Sequence, residues 1–115
     1  MTPARILDTR TANKIGAGAT LVVPVAGQHG VPAMNTAVPP TAVALNVTAT
    51  NPTGGSYLTA WPDGTPQPTA SDLNYVAGLT VPNMVIVKLG ANGAIDLYNA
   101  FGSVDVVIDV VGWYG

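Results

Sequence analysis

The residues best suited to chemistry lie at the two ends of the chain. Arg5, Asp8 and Arg10 fall near the start, and Asp105 and Asp109 fall near the end. Two carboxyl groups about 5 to 9 Å apart could act as the acid and base of glycoside hydrolysis. Nothing in the neighbouring sequence resembles a cleft lined for a substrate, however, so we do not expect the chain to be an enzyme.

The same charges favour a structural interpretation, a salt-bridged clasp between the first and last strands. Valine and isoleucine flank Asp109, so an ionised carboxylate there would need a cationic partner. Arg10 is the first candidate and Arg5 the second, because a guanidinium binds a carboxylate through two parallel hydrogen bonds. In this interpretation Arg10→Ala leaves a buried charge unpaired and strongly destabilises the fold.

Other catalytic and metal chemistries have few residues available. The chain has no cysteine, which excludes disulfides, thiolate catalysis and zinc-thiolate sites. His29 is the only histidine, and no serine lies in a Gly-x-Ser-x-Gly elbow. Oxygen ligands alone would suit calcium, with Asp63, Asp72 and Asp96 as candidates, but their spacing is more typical of turn capping. We therefore predict no metal and no cofactor.

Charge is scarce in the chain as a whole. Ten of the 115 residues are charged, and the net charge is −2. Disordered chains combine high net charge with low hydrophobicity, whereas 48% of this chain is apolar. Four basic residues offer no electrostatic surface for nucleic acid. No apolar run reaches the roughly 18 residues of a membrane span, so we expect no membrane insertion.

Sixteen valines, thirteen threonines, ten prolines and no glutamate point to strands rather than helices. Turn signals separate eight extended runs: 5–9, 19–25, 41–50, 56–61, 72–76, 83–89, 94–99 and 104–111. This spacing predicts an antiparallel β-sandwich that spans residues 1–115, with a jelly-roll or an immunoglobulin-like topology. Asn92-Gly93 predicts a tight hairpin between the sixth and seventh runs.

Several side chains that alternation places away from the core are apolar. We call four of them the outer apolar set: Met84, Ile86, Val107 and Val111. A sheet with one solvated face normally shows cleaner alternation, so these residues indicate a covered surface. Loops, a partner subunit or a neighbouring domain could provide the cover.

Aromatic residues are the remaining candidates for binding. Tyr57, Thr59 and Trp61 share one face of the fourth run, and Asn51 and Asp63 lie in the loops at its two ends. An exposed row of rings would stack on the apolar faces of sugars. The alternative is that Tyr57 and Trp61 close the edge of the core.

Short motifs along the chain resemble a repeat module of secreted proteins from actinobacteria and other soil and predatory bacteria. They are RILDTR at 5–10, GVPA at 30–33, AVALNVT at 42–48, YLTAWPDG at 57–64, SDLN at 71–74 and DVVIDVVGWY at 105–114. The resemblance implies an extracellular all-β accessory domain, often in tandem or fused to hydrolases. Some related modules resemble the tips of trimeric adhesive fibres.

Two functions are therefore expected, neither of them catalytic. The first is an extracellular binding or adhesion module that recognises a cell-surface or environmental polysaccharide through Tyr57, Trp61, Asn51 and Asp63. The second is a structural unit that assembles with copies of itself through the outer apolar set, for example as the trimeric tip or the stalk of a fibre. The resemblance implies an extracellular location, and since the N-terminus lacks the features of a secretory signal, we expect secretion as part of a larger protein.

Overall fold

A computed structural model describes all residues from 1 to 115. It contains eight strands: β1 (Ala4–Asp8), β2 (Ala19–Pro24), β3 (Ala42–Thr50), β4 (Ser56–Pro62), β5 (Leu73–Tyr75), β6 (Val81–Lys88), β7 (Ala94–Asn99) and β8 (Asp105–Tyr114). Each predicted run is a strand, although β5 is shorter than predicted and β8 extends further. The only helix is a three-residue 3₁₀ turn, Thr9–Thr11, and no helix is long and apolar enough to cross a membrane.

The strands form two four-stranded sheets. One has the order β1-β8-β3-β6 and is called the β8 sheet; the other has the order β2-β7-β4-β5 and is called the β7 sheet. Every ladder is antiparallel, and the first strand pairs with the last. The predicted antiparallel sandwich is confirmed, and the strand order is that of a jelly roll.

The core lies between the sheets and follows the period-2 pattern of the sequence. On β3, alternate side chains are buried: Val43, Leu45, Val47 and Ala49. On β8 the inward residues are Val106, Ile108 and Val110, and the β7 sheet contributes Leu58, Ile95 and Leu97. These side chains are 0 to 2% exposed and form one hydrophobic cluster, which stabilises the pairing of the two sheets.

The predicted Asn92-Gly93 hairpin is wrong. β6 and β7 belong to different sheets, so this turn carries the chain across the sandwich. A type I′ hairpin needs positive φ at both central residues, but only Gly93 has it, with φ 78°. The Asn92 side chain instead accepts a hydrogen bond from the backbone N–H of Ala94, 3.1 Å away. The dipeptide identified a turn correctly, but its backbone conformation is not that of a paired hairpin.

A β-bulge interrupts β8 near its end. Ala44 of β3 faces Gly112, and the next residue, Leu45, faces Val110, so Val111 is the extra residue. The bulge reverses the alternation, and Trp113 therefore packs against the core. Val111 is half-buried and does not continue the outer face as the regular pattern predicts.

Candidate functional site

The charged residues at and after β1 form two hydrogen-bonded ion pairs on the outer face of the β8 sheet, and Arg5 Nη1 links them at 3.7 Å from Asp8 Oδ2. Arg5 lies opposite Asp109 in the strand register, and its Nε donates to Asp109 Oδ1 over 2.9 Å. Arg10 binds Asp8 instead, through Nε to Oδ1 at 2.9 Å and Nη2 to Oδ2 at 2.8 Å. These hydrogen bonds lower the pKa of Asp8 to about 2.

The expected pair of Arg10 with Asp109 is therefore wrong. The 3₁₀ turn that follows β1 brings Arg10 back onto Asp8, which caps the turn and also accepts from the Arg10 backbone N–H. The side chain of Asp109 is 30% exposed, since it points outward between inward-facing core residues. A carboxylate in that position keeps part of its hydration, so it does not depend on Arg10.

Asp105 is the buried carboxylate of this region, with 5% exposure. It accepts hydrogen bonds from the Thr9 hydroxyl at 3.0 Å and from Asn51 Nδ2 at 3.2 Å, and Lys14 Nζ lies 3.8 Å away. Asn51, expected in a ligand-binding loop, is thus engaged in holding Asp105. Thr9 and Lys14 did not stand out in the sequence, because nothing local connects them to a residue about 90 positions away.

The expected exposed row on β4 is covered at one end. Trp61 is 6% exposed, and its Nε1 donates to the backbone carbonyl of Thr65 over 3.1 Å. Thr59 is fully buried and donates to the carbonyl of Ala70 over 2.6 Å. The loop 63–72 folds back over the outer face of β4, because these two side chains bind its backbone. Trp61 therefore lies beneath this loop and not on an open surface.

At the other end of β4, Tyr57 belongs to an aromatic cluster that sequence analysis did not identify. Its ring centroid lies 6.3 Å from that of Tyr98 and 6.3 Å from that of Phe101, which meets it edge to face at 84°. Tyr57 also lines a cleft of about 530 Å³ together with residues 67–71 of the covering loop. We call this region the aromatic cleft. The outward position of Tyr98 in the β7 alternation was the one local signal that could have identified it.

Asn99 holds the strands and loops behind this cleft and is fully buried. Its side-chain oxygen accepts from the hydroxyls of Tyr75 and Ser56, and its amide group donates to three backbone carbonyls: those of Ile15, Gly16 and Gly102. Ser56 Oγ in turn accepts from the Phe101 backbone N–H over 2.9 Å. The position of Phe101 therefore follows from a satisfied polar network inside the sandwich.

Asp63 lies at the opposite end of β4 from Tyr57, beside Asp96 of β7. Asp63 Oδ2 accepts from Asn92 Nδ2 over 2.8 Å, whereas Asp96 Oδ1 is buried without a partner. Burial and the neighbouring Asp63 raise the pKa of Asp96 to about 6, while hydrogen bonds from Asp96 and Asn92 lower the pKa of Asp63. Below about pH 6 the pair therefore carries a proton on Asp96, and neither carboxyl group lines a cleft.

The four residues of the outer apolar set differ in their exposure to solvent. Met84 and Ile86 are 55% and 64% exposed on β6, an edge strand of the β8 sheet. Val107 is 7% exposed, and Val111 occupies the bulge. Only the β6 residues therefore present an open apolar surface.

No three His, Asp or Glu side chains come together in an arrangement that could hold a metal ion. Comparisons with models of known protein families, with curated proteins and with solved structures found no match to this chain. The fold defines a protein of the jelly-roll class of β-sandwiches, and the strongest candidate site is the aromatic cleft.

Proposed function

We propose that this protein is a non-catalytic, extracellular binding module that recognises a polysaccharide through the aromatic cleft. The observation that carries the proposal is the cluster of Tyr57, Tyr98 and Phe101 beside a cleft with polar walls. Phe101 is 61% exposed, which is unusual for a phenylalanine in a chain with so few aromatic residues. An exposed ring held in place by a buried network favours a role in contact with a ligand.

The chemistry of the cleft suits a sugar chain. Aromatic rings pack against the apolar C–H faces of sugars. Gln67, Thr69 and Ser71 line the cleft with Tyr57 and carry amide and hydroxyl groups that can bind sugar hydroxyls. The lining contains no charged residue, which favours a neutral polysaccharide over an acidic one.

The covering loop also makes the cleft largely preformed. Bonds from Thr59 and Trp61 hold the loop at Ala70 and Thr65, and Asp72 Oδ2 accepts from the Ala60 backbone N–H over 2.7 Å at its end. A preformed site loses less conformational entropy on binding than a flexible one. The rings and polar wall are thus available without rearrangement.

Pull-down on insoluble polysaccharides, including cellulose, chitin, xylan and peptidoglycan, tests this proposal. We expect the parent protein to bind at least one of them, and Tyr57→Ala and Phe101→Ala to weaken that binding by about tenfold or more. Tyr57→Phe keeps the ring and is expected to retain most of the affinity. Tyr114→Ala is the matched control, because Tyr114 is 49% exposed on the other sheet.

Two results would contradict the proposal. One is the absence of binding to every polysaccharide in the panel. The other is equal affinity of Tyr57→Ala, Phe101→Ala and Tyr114→Ala, which would show that the aromatic cleft is not the contact surface.

Exposure of Met84 and Ile86 favours a second candidate function, assembly with copies of the same chain through β6. Leu89 N–H bonds the Thr41 carbonyl toward β3, so by antiparallel alternation the N–H groups of Met84, Ile86 and Lys88 point to the open edge. An edge strand with free backbone groups and two exposed apolar side chains suits pairing with another strand.

Light scattering on the purified protein tests this second function. We expect a concentration-dependent oligomer that Ile86→Lys converts to monomer, whereas Val22→Lys, at a similarly exposed position on the other sheet, leaves it unchanged. A monomer at all accessible concentrations would exclude self-assembly through β6.

A further inference from the structure

A second, smaller cleft of about 180 Å³ lies on the outer face of the β8 sheet. Thr48 and Thr50 of β3 form one part of its lining, and Thr80, just before β6, extends it. The hydroxyls of Thr50 and Thr80 are hydrogen-bonded at 2.8 Å. Val107 lies directly opposite Thr48 in the register and supplies an apolar floor. We call this region the threonine cleft.

Two ion-paired arginines border the other side of the threonine cleft. Arg5 uses Nε and Nη2 to bind Asp109, and Arg10 uses the same two groups to bind Asp8. Nη1 of each guanidinium forms no hydrogen bond, although Arg5 Nη1 lies 3.7 Å from Asp8 Oδ2. The ion pairs hold both side chains in place, and Arg10 Nη1 is left without a partner and can donate to a ligand.

Charge balance decides which ligand this cleft suits. Each arginine is matched by its own carboxylate, so the border of the cleft has no net charge. An anion would have to compete with Asp8 and Asp109 for the guanidinium groups. A neutral ligand rich in hydroxyls can instead accept from Arg10 Nη1, donate to the Asp109 carboxylate, and both donate to and accept from the threonine hydroxyls.

The volume of the threonine cleft and its apolar floor restrict the class of ligand further. The cleft is smaller than the roughly 300 Å³ at which sites for drug-sized ligands begin, which suits a single ring. Val107 is 7% exposed and closes the bottom of the cleft, so most contacts with that ring come from the polar border and the ring's hydroxyls.

We propose that the threonine cleft is a second glycan site, which takes one neutral sugar ring. The inference rests on the proposed function for its class of ligand, but it uses different residues on the opposite sheet. The two outer faces of a sandwich point in opposite directions, so a module with both sites would bridge two glycan chains. Bridging raises avidity without any new contact at either site.

Amide chemical shifts measured by NMR during titration with small sugars test the second site directly. The probes are the methyl glycosides of glucose, galactose, xylose and N-acetylglucosamine, with methyl glucuronide as the acidic counterpart. We expect a neutral glycoside to shift the amides of Thr48, Thr50, Thr80 and Val107. Thr48→Val, which keeps the shape but removes a hydroxyl, is expected to weaken that binding about fivefold.

Matched variants separate this inference from the proposed function. Thr41→Val removes the hydroxyl of an exposed threonine just before β3, at the end of that strand away from the cleft, where it bonds the Tyr114 carbonyl. This variant should leave binding at the threonine cleft unchanged. Tyr57→Ala should abolish shifts around the aromatic cleft only.

Shifts confined to the aromatic cleft would overturn the inference but not the proposed function. Shifts confined to the threonine cleft would instead contradict the proposed role of the aromatic cleft and leave the second site standing. No shift at the threonine cleft with any neutral glycoside, or a shift with methyl glucuronide alone, would also overturn the inference.

Discussion

Two polar regions hold this sandwich together in different ways. In one, Asn99 is fully buried, carries no charge and forms hydrogen bonds with every donor and acceptor of its side chain. In the other, Arg5 and Asp109, and Arg10 and Asp8, are formally charged but lie on the surface, with arginine side chains about half exposed. Exposed ion pairs contribute little to stability, while buried groups are costly to leave without partners. We therefore expect substitutions in the buried Asn99 region to lower the free energy of unfolding more than substitutions in the surface ion pairs.

The largest effect is expected at Asn99. Asn99→Ala leaves the Tyr75 hydroxyl and the Gly102 carbonyl without a partner, and it removes one of several hydrogen bonds from Ser56, Ile15 and Gly16. We expect the free energy of unfolding to fall by about 3 to 4 kcal/mol. Urea denaturation followed by the fluorescence of Trp61 and Trp113, which both pack inside the fold, measures this change. The control is Asn74→Ala, an exposed asparagine on β5, expected within about 0.5 kcal/mol of the parent. If both variants lose the same free energy of unfolding, the Asn99 network contributes no more to stability than an exposed asparagine.

Two aspartates on β8 provide the sharpest internal contrast. Asp105→Ala leaves the Thr9 hydroxyl and Asn51 amide without an acceptor and is expected to lower stability by about 2 to 3 kcal/mol. Asp109→Ala removes a surface ion pair and is expected to stay within about 1 kcal/mol of the parent. The same denaturation experiment compares them, and a larger loss for Asp109 would reverse the ranking of buried over exposed charge.

The Asp63 and Asp96 pair should make stability depend on pH. The pKa of Asp96 is raised to about 6 from 3.8, so the folded state holds a proton that the unfolded chain releases at lower pH. Stability therefore declines as pH rises from about 4 through 6. Full ionisation costs at most about 3 kcal/mol, which solvent screening reduces to about 1 to 2 kcal/mol.

Asp96→Asn tests this origin. We expect it to raise stability at pH 7 by about 1 to 2 kcal/mol, to change it little below pH 4, and to flatten the decline between them. Asp63→Asn should flatten the decline as well, because it removes the neighbouring charge. If stability still declines between about pH 4 and 6 in both variants, another titratable group causes the decline.

The smallest effect is expected at Arg10. Arg10→Ala exposes Asp8 to solvent without burying any charge, so the melting temperature should change by no more than about 3 °C near neutral pH. The pKa of Asp8 is lowered to about 2, so the stability it provides is present above its ordinary value and is lost as pH falls from about 4 to 2. Thermal melts across this acid range should show a shallower loss in Arg10→Ala. A large drop at neutral pH would mean that Arg10 has a buried partner.

Much of the fold could be predicted because the evidence for it is local. Alternation on β3 identified its buried face, and Gly and Pro clusters marked the ends of most strands. Asn92-Gly93 marked a turn for the same reason. Strand partners depend on the whole sandwich, so the same dipeptide could not show that its flanking strands lie in different sheets.

The candidate sites were harder to predict, because they depend on segments that meet only in the folded state. Tyr57 was identified from its face on β4, but Phe101 is placed by the Asn99 network, and Trp61 is covered by a loop whose conformation alternation does not reveal. The threonine cleft was not anticipated at all, because its side chains come from several strands and from the residue before β6.

The sequence by itself determined the strands, the buried faces, the all-β class and the exclusion of thiol chemistry, because residue type and period-2 spacing act over a few neighbouring positions. Only the tertiary structure decided the jelly-roll order, the partner of each charged residue and the rings that reach solvent. Arg5 and Asp109 are 104 positions apart, whereas Arg10 turns back onto Asp8 two positions away. The physical reason is that a salt bridge or a cleft needs atoms within a few ångströms in space, and in this sandwich the packing of both sheets sets those distances.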